Sequence, residues 1–181
     1  VPSKGFMTAF GAITYYYAAA EFGIRSTLAG ILNIHPLDAL VLTEPYSALS
    51  LGNVAKSIVK DSLLDEATKV KFIALVGEFK GHGPLRNAIA HCLWTKGKRR
   101  YSIKPVAFDI RSGRTRLVGM HEDERDWTIA ELHKEGSKLH LLNHKIVKFQ
   151  RESGLKAIIE RKEAETIAAI EERLGSPTRS S

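Results

Sequence analysis

From Gly5 to Ile34 the chain runs through Ala, Phe, Tyr, Leu and Ile with few polar residues, and this stretch limits the fold more than any other. A helix that is apolar on most sides must be surrounded, so the segment is expected to be the central helix of a bundle. It is not a membrane span. Its uncharged part, Met7 to Ala20, stops at Glu21, short of the roughly 20 residues that cross a bilayer, and nothing in it has the layout of a signal peptide.

Proline and glycine then divide the chain. His35-Pro36 ends the first helix, because a residue before proline is pushed out of the helical region. Glu44-Pro45 opens a segment with Leu49, Val54, Ile58 and Val59 on an imperfect stripe, weakened by Gly52. Asp65 to Lys80 is a clearer helix, with Ala67, Val70, Ile73, Ala74 and Val76 spaced for one buried face. Gly81-His82-Gly83-Pro84 punctuates the chain, and Pro84 is expected to start a helix reaching Trp94. Tyr101–Ile110 and Thr115–Met120 read as a β-hairpin turning at Arg111-Ser112-Gly113-Arg114. The acidic patch Glu122 to Asp126 precedes a long helix, Trp127 to Ser153, whose N-terminal dipole it complements. Gly154 separates an amphipathic helix, Leu155 to Leu174, which needs the bundle or another subunit as partner. The expected organisation is a helical bundle over 1–153 with a hairpin at about 100–120, a C-terminal helix over 154–175 and a disordered tail over 176–181.

The 181 residues carry a formal net charge of +7. Residues 91–118 hold Lys96, Lys98, Arg99, Arg100, Lys104, Arg111, Arg114 and Arg116 against Asp109 alone, so the whole excess lies in this stretch. A one-sign field of this kind attracts polyanions and neutralises phosphates. It can equally be a solvated loop and hairpin. The single Cys92 makes no internal disulfide, and the protein is expected to be cytoplasmic.

Within the fourth helix, Arg86-Asn87-Ala88-Ile89-Ala90-His91 resembles the motif of the HEPN superfamily (higher eukaryotes and prokaryotes nucleotide-binding): Arg, an intervening run of four to six residues, then His. The order of apolar helices, a late motif helix and a long closing helix is similar over about residues 5–153. The resemblance implies a mainly α HEPN-like bundle, here with a short β-hairpin after the motif helix. It also implies a metal-independent endoribonuclease acting as a homodimer on RNA, with no cofactor. In that family His is the general acid or base on the ribose 2′-hydroxyl and the leaving 5′-oxygen, and Arg holds the non-bridging phosphate oxygens. Those roles fall on His91 and Arg86, with Asn87 as the orienting group. Such proteins serve as toxins or in phage defence, several with an antitoxin partner.

Helix geometry adds an independent constraint. Five residues place Arg86 and His91 about 140° apart around the axis and ~7.5 Å along it, whereas Asn87 and His91 share a face. One helix alone makes a poor site, which points to a second copy. His82 is a secondary candidate, beside a phosphate at the N-terminus of a helix starting at Pro84. Against this stands a structural reading: Arg86 capping the motif helix of a neighbour or paired with Glu78 or Glu122, Asn87 a buried bridge and His91 a core histidine.

Other constellations are weaker. His133, His140 and His144 lie within about 40° on the long helix, but an acidic third ligand and HExxH are missing, so metal binding is not expected. Cys92 and His91 point about 100° apart, which argues against a nucleophile pair. Tyr15, Tyr16 and Tyr17 read as packing residues. Tyr101 and Phe108 can contact bases or pack on the bundle. Two further readings stay open: a catalytically inactive dimer of this fold binding nucleic acid or a protein, and a purely structural helical assembly protein.

Overall fold

The computed structural model describes residues 2–111, 114–118 and 125–175, and gives backbone alone at 48–49, 107–111, 114–118 and 173–175. The chain is mainly helical, with α1 (Lys4–Leu32), α2 (Pro36–Thr43), α3 (Ala48–Lys60), α4 (Glu66–His91), α5 (Ile129–Glu152) and α6 (Leu155–Gly175). A small antiparallel sheet comprises β1 (Leu93–Lys96), β2 (Ser102–Arg111), β3 (Arg114–Val118) and β4 (Trp127–Thr128). No helix of the described residues is long and apolar enough to cross a membrane. Two compact units divide the chain, residues 1–20 with 81–143 and residues 21–80 with 144–181.

In the first unit, Phe6, Ala9, Phe10, Ile13 and Tyr17 of α1 are buried, as are Leu132, Leu139 and Leu142 of α5. Asn143 ties α5 to α1, its Nδ2 donating to Tyr16 O at 2.9 Å. The expected burial of α1 on most sides holds in the second unit, where every residue from Ile24 to Gly30 is buried, and fails in the first, where Met7 is 56% and Tyr15 69% exposed. In the first unit the buried positions of α1 follow a helical repeat along one side, so a single stripe faces the core there. The hairpin is present as β2 and β3, paired from Arg111↔Arg114 to Ala107↔Val118, while its turn at Ser112-Gly113 lies outside the described residues, as does the acidic patch at Glu122 to Glu124. Two further strands join β2: β1 with Leu93↔Val106, and β4 with Ile103↔Trp127. Both are too short to show an alternation in sequence.

In the second unit, Ile24, Leu28 and Ala29 of α1, Leu51, Ala55 and Val59 of α3, and Phe72, Val76 and Phe79 of α4 form the core. Phe72 stacks on Phe149 at 5.4 Å between centroids. Gln150 Nε2 donates to Gly23 O at 3.1 Å and Thr27 Oγ1 at 3.0 Å. The buried face of α4 differs from the expected one: Val70 is exposed and Ala67 and Ala74 face outward. The large aromatics at positions 72 and 79 own the core, and the smaller apolar residues fall to its flank. Gly52, read as a weak point of its helix, lets α3 approach α4, since a Cβ there would lie 3.4 Å from Val76 Cγ1 and crowd the Lys80 stem. Leu32 ends α1 ahead of His35-Pro36. Asn33 adopts φ 55°, and Ile34 N bonds Ala29 O at 3.0 Å while Asn33 N bonds Gly30 O at 3.3 Å, the paired bonds of a Schellman cap. Gly154, at φ 73°, separates α5 from α6 as expected.

The expected break before the motif is absent. Helix α4 runs unbroken from Glu66 to His91 with Pro84 inside it, and Trp94 belongs to β1. Local punctuation is overridden by tertiary contacts on either side, a usual outcome when propensity and packing disagree. Pro84 still lacks the N–H of a regular helical position. Pro84→Ala, at an exposed site, is therefore expected to raise unfolding stability, by up to about 3 kcal/mol, in a urea titration; an unchanged or lower midpoint would show that the proline is relaxed where it stands.

Candidate functional site

The motif residues occupy the last turns of α4. Arg86 is half-buried, and its Nη1 donates to the exposed Asn87 at Oδ1, 3.2 Å away. The guanidinium lies 5.7 Å from the centroid of the buried Tyr17 ring, within cation–π reach. His91, the final residue of the helix, is exposed. One chain thus joins Arg86 to Asn87 and leaves His91 at the helix end, in keeping with the different faces of Arg86 and His91. Of the structural alternatives within one chain, the pairing of Arg86 with Glu122 lies outside the described residues, and the others do not hold as framed. Glu78 meets Lys145 at 2.9 Å, and neither Asn87 nor His91 is buried.

His82 has a different setting from the expected one. With α4 continuous, Pro84 begins no helix, and there is no helix N-terminus beside His82 to take a phosphate. His82 Nδ1 instead lies 3.4 Å from Glu135 Oε2 on α5, and Lys138 Nζ bonds the other carboxylate oxygen at 2.6 Å. Residues 82 and 86 are four apart and share a side of α4, so His82, Arg86, Tyr17 and Glu135 line one flank. Glu135 carries no signal in sequence, since its partner is distant along the chain.

Beyond His91 the chain passes through β1 into a basic loop, Gly97 to Tyr101. Trp94 anchors the passage, donating from Nε1 to Ala88 O at 3.2 Å and packing 4.7 Å from Phe10. The loop is fixed by two acids that sequence reading had assigned elsewhere or missed. Buried Asp126 accepts from Arg99 N at 2.8 Å and Ser102 Oγ at 2.9 Å. Burial pushes the Asp126 carboxyl up, but these hydrogen bonds outweigh it and hold it below the ordinary aspartate value. Glu131 takes the Arg99 guanidinium in a fork, 3.0 Å from Nη1 to Oε1 and 2.7 Å from Nη2 to Oε2, the strong planar geometry for this pair. It also accepts from Thr128 N at 2.7 Å, while Glu131 N donates to Thr128 Oγ1 at 3.2 Å. That reciprocal arrangement is a capping box, so Glu131 closes the first turn of the helix.

The expected basic surface therefore divides. Arg99 is committed to Glu131 and Asp126. Lys96, Lys98 and Arg100 are exposed, and Lys104 is half-buried on β2. Arg100 lies over the Tyr101 ring at 4.7 Å, and Tyr101 is 76% exposed with φ 57°, a left-handed conformation that is costly for a bulky residue. Arg111, Arg114 and Arg116 are placed by backbone on β2 and β3, where Arg111 pairs with Arg114. His133, His140 and His144 are exposed, with the His140 ring 4.8 Å from Tyr16. Among the described residues no group of three His, Cys, Asp or Glu is placed to hold a metal ion. No family model, curated protein or solved structure matches this chain.

The Arg99 fork, followed by the Thr128 bonds, pulls the Glu131 carboxyl from 4.5 down to about 2. A carboxylate depressed on folding stabilises the protein above its unfolded value and loses that contribution as pH falls toward its folded value. Unfolding stability is expected to decline between about pH 4.5 and pH 2, and Glu131→Gln should flatten that window while lowering stability at pH 7. Equal pH slopes in chemical denaturation of the two proteins would remove Glu131 from this role.

Proposed function

We propose that the chain is a HEPN-like, metal-independent endoribonuclease whose site is completed by a second copy. The observation that carries this reading is the Arg86–Asn87 pair one turn ahead of an exposed His91, at the point where the basic segment begins. Arg86 and His91 lie on different sides of α4, so a phosphate held by Arg86 of one copy meets His91 of the other most simply across a two-fold dimer. In the cleavage step, His91 takes the proton of the ribose 2′-hydroxyl as its oxygen attacks phosphorus. The bond from phosphorus to the 5′-oxygen breaks, and the leaving oxygen receives a proton from the partner's His91. Arg86 holds the non-bridging oxygens as charge builds there. The products are a 2′,3′-cyclic phosphate and a 5′-hydroxyl. Exposed Lys96, Lys98 and Arg100, with Arg111, Arg114 and Arg116 of the hairpin, would bind the flanking phosphates. A toxin or phage-defence role, in the cytoplasm and with an antitoxin as partner, accompanies this reading.

A second reading is favoured by the cation–π contact of Arg86 with Tyr17. There Arg86 is a packing residue, and the dimer binds nucleic acid without cutting it.

RNA incubated with the parent protein in excess EDTA is expected to be cut, leaving cyclic phosphate ends. His91→Ala and Arg86→Ala should each slow the reaction by at least about 100-fold, with salt-sensitive RNA retention largely preserved. A folded parent that retains RNA but never cuts it would establish the binding reading, and cleavage undiminished in His91→Ala would end the catalytic assignment.

A further inference from the structure

In the second unit, α4 and α5 enclose an open groove of about 260 Å³. Its floor is Ala74, Leu75 and Phe149, and its rim carries Lys71, Lys145 and Lys148 with Glu152. Two of these lysines are paired with half-exposed carboxylates, Lys145 with Glu78 at 2.9 Å and Lys148 with Glu152 at 3.6 Å. Pairs of this kind contribute little and exchange partners readily. The groove is thus an apolar trough with a mainly positive margin.

The same unit holds a helix face of opposite character. The start of α6 is docked: Leu155 and Ile159 are buried, and both lie 3.3 Å from the place a Cβ would take at Gly30. Beyond it the helix leaves the core, and Ile167 and Ile170 are 57% and 51% exposed. Between Glu163 and Glu172 there are four glutamates and no basic residue. Glu163, Ile167, Ile170 and Glu171 fall within about 100° of one face, over roughly 12 Å of helix. The groove-lining span of α5, Lys145 to Glu152, covers roughly 10 Å. A short helix extension of this kind is marginal in water without packing.

We propose that the distal half of α6, residues 163–172, docks in the groove between α4 and α5 of a second copy of this chain. Ile167 and Ile170 fill the apolar floor, and Glu163 and Glu171 meet the rim lysines, an amphipathic helix in a groove read by its apolar anchors. Exchanged in both directions, the contact closes a two-fold dimer. It uses neither Arg86 nor His91 and does not rest on the cleavage reading.

Cross-linking between full-length chains tests this directly. Two proteins carry Cys92→Ser, one with Ala74→Cys and the other with Ile170→Cys, both at exposed positions. Mixed and mildly oxidised, they are expected to link into a species of twice the 20.1 kDa chain mass. Adding Lys71→Glu and Lys148→Glu to the first should cut the yield several-fold, and adding Glu163→Lys and Glu171→Lys to the second should restore it. The parent yield should fall with added salt, as screened charges require. The proposal is overturned if the chains do not link, if the yield ignores the charge reversals, or if one chain bearing both Ala74→Cys and Ile170→Cys closes on itself in preference to a partner.

Discussion

The burial of α1 is the constraint on which both units rest. Its inward positions from Phe6 to Ala20 and every residue from Ile24 to Gly30 are buried. Asn143 and Gln150 of α5 bond its carbonyls in their respective units, at Tyr16 O and Gly23 O. A side-chain amide that bonds a helix carbonyl fixes rotation and rise together, which apolar contact alone leaves free. Part-buried polar bonds of this type add modest net stability but penalise any other register, because the groups would be left without these partners.

Electrostatics at the motif end is organised differently from what a charge count implies. The segment from 91 to 118 has a large positive excess, yet the Arg99 guanidinium is paired with Glu131 and donates to the main-chain oxygen of Asp126. The two acids lie outside the segment in sequence and beside it in space. Among the residues whose side chains are described, Lys96 at the end of β1 and Lys98 and Arg100 on the loop are exposed, and the path of that loop is set by the buried acid. Charge that holds the loop and charge that faces outward are separate residues.

How much of this was legible in the sequence depended on the range of the interaction that decides each element. The apolar run of α1, the hairpin of β2 and β3, the long helix α5 and the separation at Gly154 are written in local period and composition, and they stand where expected. Helix α4 is the counterexample: Gly81 to Pro84 has every local mark of an interruption, and contacts distant in sequence carry the helix through it. The same limit hid β1 and β4, which exist because β2 offers them edges, and hid Glu131 and Glu135, whose partners are about thirty to fifty residues away. At the site, sequence located Arg86, Asn87 and His91 on one helix and anticipated that Arg86 and His91 would diverge. It could not foresee Tyr17 beneath Arg86 or Glu135 beside His82.

The capping box at Thr128 and Glu131 has a thermodynamic consequence for the loop it also grips. Because one carboxylate closes the first turn of α5 and clamps Arg99, the loop cannot detach without fraying that helix, and the two open as one cooperative unit. The exposed cations beside Arg99 are therefore carried on a frame whose backbone entropy was surrendered during folding. An arm of free lysines would lose that freedom again at every encounter with a polyanion; this loop loses mainly the rotamers of its outward side chains.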